Sequence, residues 1–429
     1  MKKLIASLQQ QRQFHLKSQG QSMLPILQPN DVLYYKKTAF AQTKPNDLIM
    51  VKKGNNLFTH RIIHKTKKSL VTKGDNNLES DGKIYPRQII AKVDQVKRNR
   101  QIFNPESLYL LQSTLYFQEI VKIKKALEKE KIDFVFLKGL LLHLNFEKSH
   151  PKRIYLDCDV LIKKQDFNKA QTILQQYNYK RSDNLLSKRI KRNIGEEMEV
   201  SYYKLLNGFA ITFDLHFEVD ITIVHLNQLE LLYPQKYIDQ LTREFLLTKK
   251  SVKIQNEPFF ILNAEFLILY LALHFFHHNY QGAFRLEFLD KIICQGHFRS
   301  VLWTDISKKI LDYQLQNFVY PVFVLLKKLY KTHIPIYFLK SIQPSIFYLN
   351  YLTSIINDPS SVFDDEQRIK AGVNRFKNLF YLSPRPLWIK TLVFLNPQVL
   401  YSIFWVATRR VILVWSFLRT GILRLREKI

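Results

Sequence analysis

Short segments in which apolar and polar residues alternate dominate the first hundred residues. Turn-forming sequences such as Gly54-Asn55-Asn56 and Asp81-Gly82-Lys83 separate them. An alternation with a period of two is typical of strands that bury one face. The pattern therefore predicts a small all-β domain. Its predicted strands cover residues 31–35, 47–52, 57–64, 69–73 and 89–96.

A different pattern begins after the polar, proline-containing segment of residues 99–107. Apolar residues then recur at helical spacing from Leu108 to Leu127, so we predict a domain boundary near residue 104. Further strands and helices alternate up to about residue 260, and helical patterns dominate beyond it. The predicted elements are strands over Phe134–Leu137, Asp157–Ile162 and Ala210–Phe217, a helix between the first two, and a helix over Gln165–Tyr177.

These patterns predict an α+β protein of several domains. An all-β domain covers residues 1–103, an α/β core covers residues 104–340, and a helical extension covers residues 341–429. In the extension, two apolar runs, Val399–Ala407 and Val411–Leu418, are separated by Arg409-Arg410. Neither run approaches the roughly 20 residues that span a bilayer. A basic, Trp-bearing helix there would suit an anionic membrane surface or a partner groove, or it would dock on its own domain.

The net charge of +29 favours phosphate-rich partners, among them nucleotides, anionic lipid and nucleic acid. Dedicated nucleic-acid binding is not favoured, because abundant Lys, Asn and Ile are also typical of proteins from AT-rich genomes. Two cysteines cannot form a disulfide framework, which fits a reducing compartment. Residues 1–19 are too rich in Gln and basic residues for a signal peptide or a spanning helix. We therefore expect a cytoplasmic protein, or one peripheral to the inner face of the membrane.

Three short segments in the β domain supply a serine, a histidine and an aspartate. Ser22 precedes Met23-Leu24-Pro25, His60 lies in a predicted strand, and Asp81 follows a predicted turn. A serine hydroxyl needs a neighbouring base to act as a nucleophile, and the base needs a third group that orients it. Ser22, His60 and Asp81 could fill these three roles, with Asp75 as an alternative acid.

The order and context of these segments over residues 19 to 97 resemble the type I signal peptidase family. The bacterial form of that family has lysine directly before the arginine of the second segment, whereas the endoplasmic-reticulum and archaeal form has histidine, as His60 is here. The resemblance implies a Ser-His-Asp peptidase acting on a peptide or protein substrate. Family members usually carry a spanning helix before the nucleophile, and its lack here favours a descendant that acts on a leader peptide or another peptide.

A second group of residues is typical of metal-dependent phosphoryl chemistry. Asp157 and Asp159 alternate in a predicted strand and so face the same side, and Asp214 lies in another strand. Nucleotidyl transfer uses two divalent cations about 4 Å apart that acidic side chains hold. We predict that these three carboxylates meet.

The segments around these residues, from about 108 to 300, resemble the uncharacterised nucleotidyltransferase family of the polymerase-β superfold. The resemblance implies that the three aspartates bind Mg²⁺ or Mn²⁺, that the substrate is a nucleoside triphosphate, and that Lys138, Gly139 and Arg153 bind the nucleotide. Members of the superfamily commonly have Gly-Ser where this chain has Lys138-Gly139. A later segment shares the resemblance, but we expect a packed helix with a polar rim there. Its polar residues are His274, His277, His278, Arg285 and Asp290.

Together the two groups predict a bifunctional protein, in which a serine endopeptidase is fused to a nucleotidyltransferase, with peptide maturation as a joint role. Two alternatives remain open. In one, the β domain only binds peptide and the transferase alone is active. In the other, the chain works at a membrane surface on signal or leader peptides.

Overall fold

The computed structural model describes residues 11–395, apart from residues 55, 78–79, 151–153, 183–198, 221–228, 296–299 and 364–367, and also describes residue 400. Its first part is an antiparallel sheet of eight strands in the order β1-β2-β7-β3-β4-β5-β6, with β8 paired to β7. The strands are β1 (Gln13–Lys17), β2 (Val32–Lys36), β3 (Leu48–Lys53), β4 (Asn56–Lys65), β5 (Leu70–Lys73), β6 (Lys83–Ile84), β7 (Ile89–Arg98) and β8 (Gln101–Phe103).

Strand β3 lies in the middle of this sheet and is buried on both faces. Leu48 and Met50 belong to one apolar cluster, whereas Ile49 and Val51 belong to another. A strand covered on both sides has a continuous apolar run instead of an alternation. The five strands expected from the sequence are all present, with ends that differ by one or two residues. Strand β1 was not predicted, because its two apolar residues stand among glutamines and basic residues.

The second part contains a mixed sheet of seven strands in the order β11-β12-β13-β10-β9-β15-β14. Strand β10 runs parallel to β13 and antiparallel to β9, and β9 runs parallel to β15. These central strands are the most buried part of the sheet, as their apolar sequences indicate. The strands are β9 (Phe134–Phe136), β10 (Cys158–Ile162), β11 (Lys180–Arg181), β12 (Glu199–Leu206), β13 (Phe209–His216), β14 (Lys250–Ile254) and β15 (Glu257–Ile261).

Helices pack on this sheet and form most of the chain that follows it. The first helix starts where its sequence indicates, since the Asn104 side chain accepts a hydrogen bond from the Glu106 N–H and Pro105 occupies the first turn. The helices are α1 (Pro105–Lys129), α2 (Leu140–Glu147), α3 (Phe167–Gln176), α4 (Gln235–Leu247), α5 (Ala264–His277), α6 (Ala283–Gln295), α7 (Ser300–Asp312), α8 (Gln316–Leu325), α9 (Ile336–Ser341), α10 (Ile346–Asn357), α11 (Arg368–Leu382) and α12 (Leu387–Thr391).

The mixed α+β content expected from the sequence is confirmed, as is the helical character of the chain beyond residue 260. One boundary matters for the chemistry: Asp157 lies just before β10 and not within it. The apolar runs of residues 399–407 and 411–418 lie outside the described residues, apart from Leu400. Among the helices that the structure describes, none is long and apolar enough to cross a bilayer.

Candidate active sites

Three carboxylates meet at one end of the central strands of the mixed sheet. Asp159 on β10 lies directly opposite Asp214 on the parallel strand β13, and Asp157 precedes β10 by one residue. One oxygen of each carboxylate lies within 4.8 Å of the others. We call Asp157, Asp159 and Asp214 the acid cluster. The structure thus brings together the three residues that the sequence singled out as metal ligands.

Lys138 places a positive charge beside two members of the acid cluster. It lies in the turn between β9 and α2, and its ammonium is 3.2 Å from Asp157 Oδ2 and 3.1 Å from Asp159 Oδ1. Gly139 follows with a φ of +98°, and an added Cβ would lie 3.3 Å from the Asp157 carbonyl oxygen. A glycine suits this turn because a side chain would be strained there. Arg153, the third residue expected to bind nucleotide, lies outside the described residues.

His216 is a partner of the acid cluster that the sequence analysis missed. Its Nε2 lies 3.0 Å from Asp159 Oδ1, and both side chains are buried. The signal was present in the sequence, because His216 follows Asp214 by two residues and so shares its face of β13. Burial alone would lower the pKa of His216, but the hydrogen bond to Asp159 and the negative charges of Glu199 and Asp159 together outweigh burial and raise it to about 9.

The charges around the acid cluster act differently on its members. Burial would raise the pKa of Asp159, but the adjacent Lys138 and His216 outweigh burial and lower it. The pKa of Asp214 rises to about 7, first because the side chain is buried and then because Asp159 and Glu199 are close. At neutral pH the cluster therefore holds a firmly ionised carboxylate beside one that is close to its own midpoint.

Two oxygens of the acid cluster have unused capacity for a ligand. Within the described residues, Asp159 Oδ2 and Asp214 Oδ1 are buried and have no hydrogen-bond partner. A buried carboxylate oxygen without a partner is costly unless something else satisfies it. Oxygen atoms from carboxylates are the ligands that Mg²⁺ and Mn²⁺ prefer. The residues present therefore fit a divalent cation.

Helix α5 contributes a polar stripe near the acid cluster. Tyr270, His274 and His277 are spaced by four and three residues and so share one side of the helix. Burial, followed by the charge of Asp159, raises the pKa of the Tyr270 hydroxyl well above its ordinary value. His277 Nδ1 lies 3.2 Å from Asp220 Oδ2. His274 and His277 lie on α5, whereas Arg285 and Asp290 lie on α6, so the single helix expected here is two helices.

The β domain holds a second constellation, which Ser22, His60 and Asp81 form. His60 on β4 places Nε2 2.9 Å from Ser22 Oγ and Nδ1 2.7 Å from Asp81 Oδ2. The Thr72 hydroxyl donates to the same Asp81 oxygen at 2.8 Å. These are the contacts of a nucleophile, a base and an orienting acid, in the order that a Ser-His-Asp triad requires.

Asp75, the alternative acid, is not hydrogen-bonded to His60 but pairs with Arg61. Its carboxylate pairs with the guanidinium of Arg61, whose Nε donates to Asp75 Oδ1 at 2.6 Å and whose Nη2 binds Oδ2. Both side chains are buried. Since neighbouring side chains on a strand face opposite ways, His60 and Arg61 have different carboxylate partners, Asp81 and Asp75.

The loop around Gly74 holds the Ser22 segment in position. The Asn76 N–H donates to the Ser22 carbonyl oxygen at 2.8 Å, and the Asn76 side chain donates to the Gln21 carbonyl oxygen at 3.1 Å. A Cβ added at Gly74 would lie 2.6 Å from the Ser22 carbonyl oxygen, which is too close for any other residue. The glycine thus permits the close approach that positions Ser22.

Comparison with known protein families gives a match over the second part of the chain. The model of a family described as uncharacterised nucleotidyltransferase matches residues 99–331, so the Ser-His-Asp constellation lies outside the match. No curated protein matches the chain.

Two solved structures are similar at low identity. One is the solution structure of the antibiotic-resistance factor ANT(2'')-Ia, at 10% identity and a TM-score of 0.30, covering 48% of this chain and 95% of that one. The other is an antigenic nucleotidyltransferase-like protein from Paracoccidioides brasiliensis, at 14% identity and a TM-score of 0.27, covering 48% and 88%. Scores this low do not establish a shared fold, so the family match carries the comparison.

Proposed function

The chain belongs to the family of uncharacterised nucleotidyltransferases, and from that premise we propose that it transfers a nucleotidyl group from a nucleoside triphosphate to an acceptor. The observation that supports the site is the acid cluster, in which two buried carboxylate oxygens have no partner among the described residues. Asp157, Asp159 and Asp214 would hold Mg²⁺ or Mn²⁺. When bound, such cations activate the attacking oxygen and stabilise the charge that develops on the leaving pyrophosphate.

The residues around the cluster have separate tasks in this proposal. Lys138 supplies a positive charge next to the carboxylates, where triphosphate oxygens would approach. His216 donates to Asp159 and fixes the orientation of that carboxylate. Asp214 would complete the carboxylate set from the neighbouring strand β13. Because its pKa is raised to about 7 in the metal-free chain, Asp214 would lose a proton on binding a cation near neutral pH.

The proposal is tested with the full-length chain, Mg²⁺ and the four nucleoside triphosphates labelled at the α-phosphate, with a small-molecule and protein extract as the source of acceptor. We expect the label to enter an acid-stable product. Asp157→Asn, Asp159→Asn and Asp214→Asn should each reduce labelling at least a hundredfold, whereas the exposed control Asp94→Asn should retain it. Labelling that survives these three changes, or no labelling with any of the four nucleotides, would contradict the proposal.

A second activity is supported by the hydrogen-bond chain from Ser22 through His60 to Asp81. We propose that the β domain is a serine endopeptidase of the signal-peptidase type, with Ser22 as nucleophile, His60 as base and Asp81 as the orienting acid. In acylation, Ser22 Oγ would attack the peptide carbonyl while His60 Nε2 takes the hydroxyl proton. His60 would then return that proton to the leaving amine, and water would hydrolyse the acyl-enzyme.

A fluorophosphonate probe tests this second activity without knowledge of the peptide. We expect covalent labelling that Ser22→Ala abolishes and that His60→Ala reduces at least a hundredfold, with Ser18→Ala as a matched control that labels normally. If the wild-type chain is not labelled, or if Ser22→Ala is labelled equally, the endopeptidase is excluded and peptide recognition remains as the task of the β domain. With both activities present, the joint role would be maturation of a peptide.

A further inference from the structure

Lys138 lies against the carboxylates that would hold a metal ion. Its ammonium contacts two of the three carboxylates of the acid cluster, at 3.2 Å from Asp157 and 3.1 Å from Asp159. The Lys138 side chain is only 19% exposed, and that of Asp159 only 3% exposed. The Lys138 ammonium is thus a positive charge that the chain itself supplies to the acid cluster.

We propose that Lys138 is an internal counter-cation that competes with the divalent metal and is drawn away by the triphosphate. The inference rests on the proposed nucleotidyltransferase function and adds an order of events to it. Free chain would bind metal weakly, because a divalent ion at these carboxylates would lie close to the ammonium. The nucleotide would bind together with the metal, because its phosphates offer Lys138 a replacement for the carboxylates.

The geometry supports competition over a purely structural ion pair. Lys138 contacts Asp159 Oδ1, the oxygen that also accepts from His216, whereas Asp159 Oδ2 has no hydrogen-bond partner in the described residues. A pair that served stability alone would be expected to satisfy the buried oxygens around it. Here the lysine neutralises charge while two ligand oxygens remain available.

The position of Lys138 also fits a side chain that changes partners. It lies in the turn between β9 and α2, directly before Gly139, and not inside either element. Its charge is held on a flexible four-carbon stem, and an ammonium binds phosphate or carboxylate without a fixed geometry. Its buried partner Asp159 is held more firmly, because Asp159 belongs to the central strand β10.

The test measures Mn²⁺ binding to the purified full-length chain by electron paramagnetic resonance, which reports the free ion and needs no turnover. We compare the wild type with Lys138→Met, which keeps the length of the stem, with Lys138→Gln as a second neutral variant, and with Lys138→Arg, which keeps the charge. We expect both neutral variants to bind Mn²⁺ at least tenfold more tightly than the wild type and Lys138→Arg to resemble the wild type. The control Lys163→Met removes a lysine that pairs with Asp133 outside the cluster and should change nothing.

A second arm adds a mixture of the four nucleoside triphosphates with a methylene group between the α- and β-phosphates, which blocks transfer. Because the phosphates also bind Mn²⁺ in solution, this arm measures the Mn²⁺ that equilibrium dialysis retains with the protein. We expect the mixture to tighten Mn²⁺ binding at least tenfold in the wild type and at most two- to threefold in Lys138→Met. The inference about Lys138 would be overturned if, without nucleotide, the wild type, Lys138→Met and Lys138→Gln bound Mn²⁺ equally well. If Asp159→Asn abolished binding in the same experiment, the proposed metal site would still stand. If no variant binds Mn²⁺ with or without the mixture, the proposed metal-dependent function fails together with the inference.

Discussion

Replacing Asp214 with asparagine should stabilise the protein at the same time as it destroys the metal site. The pKa of Asp214 in the folded chain is about 7, against an ordinary value of 3.8, chiefly because the side chain is buried. A carboxyl group whose pKa is raised by folding costs stability when it ionises. The cost is absent below about pH 4, grows as the pH rises from there to about 7, and is complete above it.

The size of the effect follows from that difference. The interval between 3.8 and about 7 corresponds to roughly 4 kcal/mol at pH 8. Relaxation around a partly accessible side chain reduces this value, so we expect a gain of about 2–4 kcal/mol from Asp214→Asn. Asparagine has nearly the same shape and mimics the uncharged carboxyl group. For a domain of this size the gain corresponds to an increase in the thermal midpoint of roughly 5–10 °C.

Thermal unfolding of the wild type and Asp214→Asn at pH 8 and pH 4.5, without divalent cations, measures this effect. Most of the gain seen at pH 8 should disappear at pH 4.5, where the wild-type carboxyl group is protonated in the folded chain. The exposed control Asp94→Asn should shift neither midpoint. An Asp214→Asn variant that is no more stable than the wild type at pH 8, or equally stabilised at both pH values, would refute the reasoning. Adding Mn²⁺ should then stabilise the wild type and not the variant.

Three further predictions concern the β domain. Gly74→Ala should reduce fluorophosphonate labelling at least tenfold, because its Cβ would displace the Ser22 carbonyl oxygen, and unchanged labelling would show that this contact does not position the nucleophile. Thr72→Val removes the hydroxyl that donates to Asp81 and should slow labelling about tenfold while the thermal midpoint changes little; equal rates would assign Thr72 no part in the triad. Arg61→Met leaves Asp75 buried without its partner and should cost about 3–5 kcal/mol in chemical unfolding, part of which Asp75→Asn should restore in the double variant; a stable single variant would contradict this account.

The sequence was sufficient for the candidate residues and for the central strands that carry them, but not for the short or edge strands or for the side chains that shift the pKa values of the candidate residues. The spacing of Asp157 and Asp159 and the pattern around Asp214 predicted that the three carboxylates meet, although Asp157 lies one residue before β10 and not within the strand. The pairing of β10 with β13 could not be read from the chain, because strand register depends on tertiary packing. The contact of His216 with Asp159 depends on that register. The pairing of Asp75 with Arg61 depends on how a loop of the first sheet packs against β4, so both contacts required the structure.

The Ser-His-Asp constellation is complete without a ligand, whereas the acid cluster has ligand oxygens to spare, so a chelator should distinguish the two proposed activities. Asp81 Oδ2 accepts from both His60 and Thr72, and Ser22 Oγ is within hydrogen-bond distance of His60, so the proposed triad has its reacting groups in contact. The acid cluster instead retains buried ligand oxygens without a partner among the described residues. A chelator should therefore abolish nucleotidyl transfer and leave fluorophosphonate labelling unchanged, whereas Ser22→Ala should do the reverse. If chelation stopped both reactions, the β domain would depend on the metal site, and the independence of the two centres would be wrong.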